Sequence, residues 1–332
     1  MKDTTEPEPA PFLALPPGGA PPDAVWWLRA ADGIRLRAGL WQAPAGHSRT
    51  GRAQVMLLPG RTEYLEQQAL PAAELVRRGF DVVSLDWRGQ GLADRLSAAS
   101  PLRGHVADFA DFHADLEALL ADHRVAPRPD DRARPRIVLG NSMGGTIALA
   151  ALGQGVLGPV RAAILTAPMF GIAMGGPTRL TARAIITAAQ LLGLAEHWPP
   201  GLQGHIPFVL RPFDTNLLTR DRAYWDWMVG VARTHPALNT GLPTFGWLAA
   251  ATRAMDELRG SPAPDCPVFC VYGTEERVVD VRAMRDGAAR IGARVAEIAG
   301  AAHLLLAEAE PMRREAWAAI DAFLAEALAE TP

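Results

Sequence analysis

The sequence predicts an α/β fold: a mainly parallel sheet with helices on both faces and one large, helical insertion. Three observations carry this. Short apolar runs alternate with stretches of helical spacing from residue 54 onward. A two-strand hairpin pattern precedes that alternation. About 100 residues then separate the apolar run at 160–165 from the run at 268–272, far more than one crossover helix needs.

The elements follow in order. Residues 25–29 and 34–41 read as strands joined at Asp32-Gly33, a strong turn signal for a hairpin. The run at 54–58 ends in Pro59-Gly60, and 65–77 has helical spacing that stops at Gly79. After the run at 80–85, Phe109, Phe112, Leu116, Leu119 and Leu120 fall on one helical face. The run at 137–139 leads into a helix-compatible stretch at 143–152. Further runs lie at 160–165, 268–272 and 294–298, and Ala316, Ile320, Phe323, Leu324 and Leu328 close the chain on an amphipathic helix. Continuous apolar runs of this kind are strands buried on both faces, as in parallel sheets, with the opening hairpin as an antiparallel edge.

This divides the chain into a core of 24–167 and 265–332, and a cap insertion of 168–264. Residues 1–23 are Pro-rich without hydrophobic periodicity and read as a disordered or extended tail. The insertion holds nine of the 22 aromatic residues, which either pack it internally or line an apolar pocket.

Composition narrows the function. At 332 residues, 49% hydrophobic and 21% charged, the chain is an ordinary globular protein. A net charge of −3 offers no broad basic face, so no nucleic acid partner is expected. Cys266 and Cys270, four apart on a strand, would lie about 13 Å from each other. That is beyond the roughly 7 Å a disulfide spans, so both read as thiols, which reducing compartments tolerate. The N-terminus lacks the apolar region of a secretion signal, and no window of the length a membrane span requires is uninterrupted and apolar. A cytoplasmic location is expected. No phosphate-binding glycine loop or metal-ligand spacing is present, so neither a cofactor nor a metal is expected.

The chemistry sits at Gly140-Asn141-Ser142-Met143-Gly144. This is Gly-x-Ser-x-Gly between an apolar run and a helix, the context in which a serine projects from a sharp strand-to-helix turn. A serine hydroxyl needs a base. In this architecture the chain order is serine, acid, histidine, and of eight histidines only His303 follows the run at 268–272. The others, His47, His105, His113, His123, His197, His205 and His235, read as surface or packing residues. The acid belongs on the loop after that run, where Glu275, Glu276 and Asp280 are all candidates and spacing does not choose. Two N–H donors must face the developing oxyanion: that of Met143, after the serine, and that of Arg61, in the loop after 54–58.

With these motifs the sequence resembles the α/β-hydrolase superfamily over residues 25–328, and within it the bacterial lysophospholipase and monoacylglycerol lipase branch. Residues 58–64 look like that branch's oxyanion loop, Asp86-Trp87-Arg88-Gly89-Gln90-Gly91 like its Asp-x-Arg-Gly-x-Gly turn, and 140–145 like its nucleophile elbow. Gly273-x-x-Glu276-Arg277-Val278-Val279 resembles its acid loop, which puts the acid at Glu276. Asn216-x-Leu218-Thr219 and Gly241-x-Pro243-Thr244-x-Gly246-Trp247 look like its cap segments, and Phe213 and Trp247 are taken from that setting as substrate-lining candidates. The resemblance implies a cofactor-free serine hydrolase acting on a small lipid or ester substrate with one acyl chain, with transient contact at a membrane surface compatible with such a substrate. A general carboxylesterase or an aminopeptidase of the same fold are the enzymatic alternatives. A non-catalytic binding module is the other class, and the intact serine, acid and histidine argue against it.

Overall fold

The computed structural model describes residues 8–44, 53–126, 135–173, 176–201, 204 and 207–329. Residues 1–7 of the Pro-rich tail, His47 and His205 lie outside them. Eight strands form one sheet: β1 (Ala24–Arg29), β2 (Arg35–Trp41), β3 (Gln54–Leu58), β4 (Asp81–Asp86), β5 (Arg136–Asn141), β6 (Ala162–Thr166), β7 (Val268–Gly273) and β8 (Arg294–Ile298). Their spatial order is β1-β2-β4-β3-β5-β6-β7-β8. The β1–β2 and β2–β4 pairs are antiparallel and every other pair is parallel. The expected hairpin edge and parallel body are both present.

The helices are α1 (Leu65–Arg77), α2 (Asp111–Ala121), α3 (Met143–Gly153), α4 (Gly176–Leu191), α5 (Arg222–Thr234), α6 (Phe245–Gly260), α7 (Val281–Arg290) and α8 (Glu310–Ala329). From β3 the chain crosses by α1 to β4 on one side; from β5 it crosses by α3 to β6 on the other. Right-handed crossovers running in opposite directions put α1 and α3 on opposite faces. Residues of β3, β5, β6 and β7 are almost entirely buried, as covered parallel strands must be. The 168–264 segment contains α4, α5, α6 and short 3₁₀ turns. Its α6 packs on both α3 and α4. Among the described residues no helix is long and apolar enough to cross a membrane.

Residues 8–23 run extended over the β1 edge and the start of α1. Ala10 N–H donates to Val25 O, Trp27 N–H to Glu8 O, and Leu13 N–H to Glu66 Oε1. These bonds occupy part of an otherwise open sheet edge. Both cysteines are free, and burial pushes the Cys270 thiol up to about 12, so it stays a protonated core group.

Candidate active site

The strand order reverses between β3 and β5, and the carboxyl ends of those strands bound the crevice where open α/β sheets take ligands. The loop after β3 carries Arg61, and the turn after β5 carries Ser142 and Met143. Ser142 has φ +50° and ψ −114°, outside the comfortable range of an L residue. The turn is sharp enough that its glycines are obligatory. A Cβ on Gly140 would lie 2.7 Å from Gly144 O, and one on Gly144 would strike the carbonyl oxygens of Leu58 and Pro59. The elbow is therefore pressed against the loop that carries Arg61. Met143 begins α3, so its N–H has no acceptor within the helix.

That loop is held by the turn at 86–91. The Gln90 side chain donates to Gly60 O at 3.1 Å and accepts the Thr62 N–H at 2.9 Å. Trp87 Nε1 donates to Pro59 O at 2.8 Å. Thr62 sits at φ +67°, a strained position fixed by these bonds. Asp86 supports the turn from below, accepting from Arg37, Leu65 and Leu92.

On the other flank, the loops after β7 and β8 are stitched together. Glu275 N–H donates to Ala301 O, Thr274 N–H to Ile298 O, and Gly300 N–H to Thr274 Oγ1. The result is a buried pair, with His303 Nδ1 at 2.7 Å from Glu276 Oε2. Burial opposes ionisation of Glu276, but His303 and the N–H groups of Val278 and Val279 outweigh it and hold the carboxyl below its ordinary value. Of the three acid candidates, Glu276 alone faces His303. Asp280 caps α7 by accepting from Arg282 and Ala283, and Glu275 pairs with Arg277 at the surface. With Nδ1 engaged, Nε2 is the imidazole nitrogen left to take a proton.

The histidine loop is also tied to the insertion. Glu308, fully buried, accepts N–H bonds from Ala302, Arg220 and Ala309, and Leu304 N–H donates to Leu218 O. The Asn216-x-Leu218-Thr219 segment thus abuts the residue after His303.

A network not anticipated from the sequence lies beneath the elbow. Glu63 is buried and accepts from Gln68 at 2.9 Å and from Asn141, whose side-chain oxygen accepts from Thr166. Burial raises the Glu63 carboxyl against the donors around it, Gln68, the Gly60 N–H and Asn141. In the sequence Glu63 stands among other polar residues, Arg61, Thr62, Glu66, Gln67 and Gln68, so nothing local marks it as buried. Of the substrate-lining candidates, Trp247 is buried against Phe109, with the Arg61 guanidinium 5.0 Å from its ring centroid. The ring partners of Phe213 are Trp225 and Arg222, both in the insertion. His105 bonds Thr244, the N-cap of α6, and reads as a packing residue.

The family described as Hydrolase_4, serine aminopeptidase S33, matches residues 49–310. Lysophospholipase L2 of Escherichia coli (strain K12) is 35% identical over 280 residues, covering 80% of this chain and 78% of that one. Monoacylglycerol lipase of Mycolicibacterium smegmatis is 25% identical over 254 residues, covering 76% and 79%. Among solved structures, a soluble variant of monoglyceride lipase from Saccharomyces cerevisiae superposes with a TM-score of 0.71 at 19% identity, covering 96% and 99%.

Proposed function

The chain belongs to the Hydrolase_4 family, serine aminopeptidase S33, and from that membership we propose how it works. It is a carboxylic ester hydrolase whose substrates are lipids with a single acyl chain, lysophospholipids or monoacylglycerols. Relatives named for both activities support this.

Ser142 Oγ attacks the ester carbonyl as His303 Nε2 takes its proton. Glu276 keeps the imidazole in the tautomer with Nδ1 protonated and stabilises the imidazolium. The carbonyl oxygen becomes an oxyanion held by the N–H groups of Met143 and Arg61. Collapse expels the alcohol, which receives the proton from His303, and leaves an acyl-serine. Water then gives a proton to His303 and attacks the acyl group, releasing the fatty acid and restoring Ser142. The observation that carries this reading is the buried Glu276–His303 contact of 2.7 Å at the same sheet edge as a strained serine elbow.

The 168–264 segment acts as the cap over the crevice. Its α4 and the residues after it expose Leu180, Ile185, Leu191 and Leu192, an apolar face suited to transient contact with a lipid surface. Labelling of the wild type, but not of Ser142→Ala, by a fluorophosphonate probe tests the nucleophile. Fatty acid release from lysophospholipids and monoacylglycerols, set beside cleavage of aminoacyl amides, tests the substrate class. Cleavage of the amides alone would overturn the lipase reading.

A further inference from the structure

Arg61 is an unusual arginine. Among the described residues no charged partner faces it, and its Nε is buried without a hydrogen-bond partner. Its one side-chain hydrogen bond there is from Nη2 to Gly241 O at 2.6 Å, and its guanidinium sits over the Trp247 ring. Space for it exists because residue 104 is glycine; a Cβ there would strike Nη2. Burial with no counter-charge pulls its pKa down to about 9.

Arg95 shows what a purely structural arginine looks like in this fold. It is also deeply placed, but its donors are spent on the carbonyls of Gly89, Gly91, Ala237 and Asn239 and on Thr240 Oγ1. Among the described residues Arg61 is far less satisfied. A desolvated cation with unspent donors is expensive to keep, and an anion that enters the site would supply what it lacks.

The position of Arg61 says which anion. Its own backbone N–H is the proposed oxyanion donor, so its guanidinium lies within one side chain's reach of the scissile carbonyl. In a lysophospholipid a short glycerol unit separates that carbonyl from a phosphodiester; a monoacylglycerol carries only hydroxyls there. We propose that the Arg61 side chain binds the phosphodiester of a single-chain phospholipid and makes the enzyme select it over the neutral glyceride. This rests on the single-chain lipid reading above. The planar guanidinium suits paired contacts to phosphate oxygens, and the Trp247 face and Gly241 carbonyl fix its plane.

The test compares lauroyl lysophosphatidylcholine with lauroyl monoacylglycerol, both as monomers, in wild type, Arg61→Met and Arg61→Lys. In Arg61→Met the ratio of kcat/KM for the phospholipid to that for the glyceride should fall about tenfold or more, with partial recovery in Arg61→Lys. A side chain that only props the cap would lower both substrates together, and an unchanged ratio would overturn the inference. Broadening of the ³¹P resonance of glycerophosphocholine reads the same site without catalysis. Wild-type protein should broaden it and Arg61→Met should not; equal broadening, or none with wild type, would also overturn it. A wild type inert towards both lipids would count against the substrate reading, and the resonance experiment would still decide the role of Arg61. If Arg61→Met fails to fold, Arg61→Lys alone carries both measurements.

Discussion

Gln90 grips the backbone on both sides of Arg61: its side-chain nitrogen donates to Gly60 O and its side-chain oxygen accepts the Thr62 N–H at 2.9 Å. The peptide whose N–H is the proposed oxyanion donor is therefore aimed by a residue about one strand and one helix further along the chain.

Gln90→Ala would free that peptide and leave Gly60 O and Thr62 N–H without partners. We expect kcat to fall by about 10–100-fold with a smaller change in KM, since the donor acts mainly in the transition state. Melting should also show a loss of about 1–3 kcal/mol. Steady-state kinetics on a soluble ester checks the first expectation; a rise in KM with kcat unchanged would refute it.

Glu276→Gln should lower kcat/KM by up to about 10⁴-fold, because an amide cannot stabilise the imidazolium and favours the wrong tautomer. Asp280 caps α7 instead. Asp280→Ala should cost about 1 kcal/mol of stability and leave turnover nearly unchanged. Reversal of the two kinetic effects would remove Glu276 from the mechanism.

The backbone at Ser142, with φ +50°, suits glycine better than any residue with a Cβ. Ser142→Gly and Ser142→Ala should both be inactive. The glycine variant should melt higher than the alanine variant, by an amount equivalent to about 1 kcal/mol. Equal melting temperatures would show that the elbow stores no strain at this residue.

Glu63 should make stability depend on pH. Its folded-state pKa is raised above the ordinary 4.5 by burial. Such a carboxyl favours the folded protein fully below its unfolded value and loses that advantage as pH rises through the folded one. Glu63→Gln carries no titrating group there. Its melting temperature relative to wild type should climb from acid conditions towards neutrality. A difference that stays flat across that range would mean that folding does not shift the Glu63 carboxyl at all.

Sheet and elbow were legible in the sequence because buried parallel strands and a glycine-flanked serine leave local, contiguous patterns. His303 was legible by elimination along the chain. Choosing Glu276 over Glu275 and Asp280 took a resemblance, since all three share one short loop and only the fold decides which reaches the imidazole. Gln90, Glu63 and Asn141 were not picked out as site residues. Apart from Gln68, five residues from Glu63, their side-chain partners lie 25–78 positions away in the chain, and such hydrogen bonds impose no periodicity. Trp247 and Phe213 came from similar settings, yet the first packs against Arg61 and the second inside the insertion.

The order of these parts along the chain also sets a timetable for synthesis. Arg61, Ser142 and Met143 belong to β3–α3, whereas Glu276 and His303 follow β7 and β8. A nascent chain still short of β7 holds the proposed nucleophile and oxyanion donors but not the proposed base. The Glu308 that secures the histidine loop is translated later still. A fluorophosphonate probe is expected to pass over arrested chains until that last stretch has left the ribosome. Hydrolytic competence is thus a late property of the polypeptide, and a product terminated before β7 would be born harmless to the lipids around it.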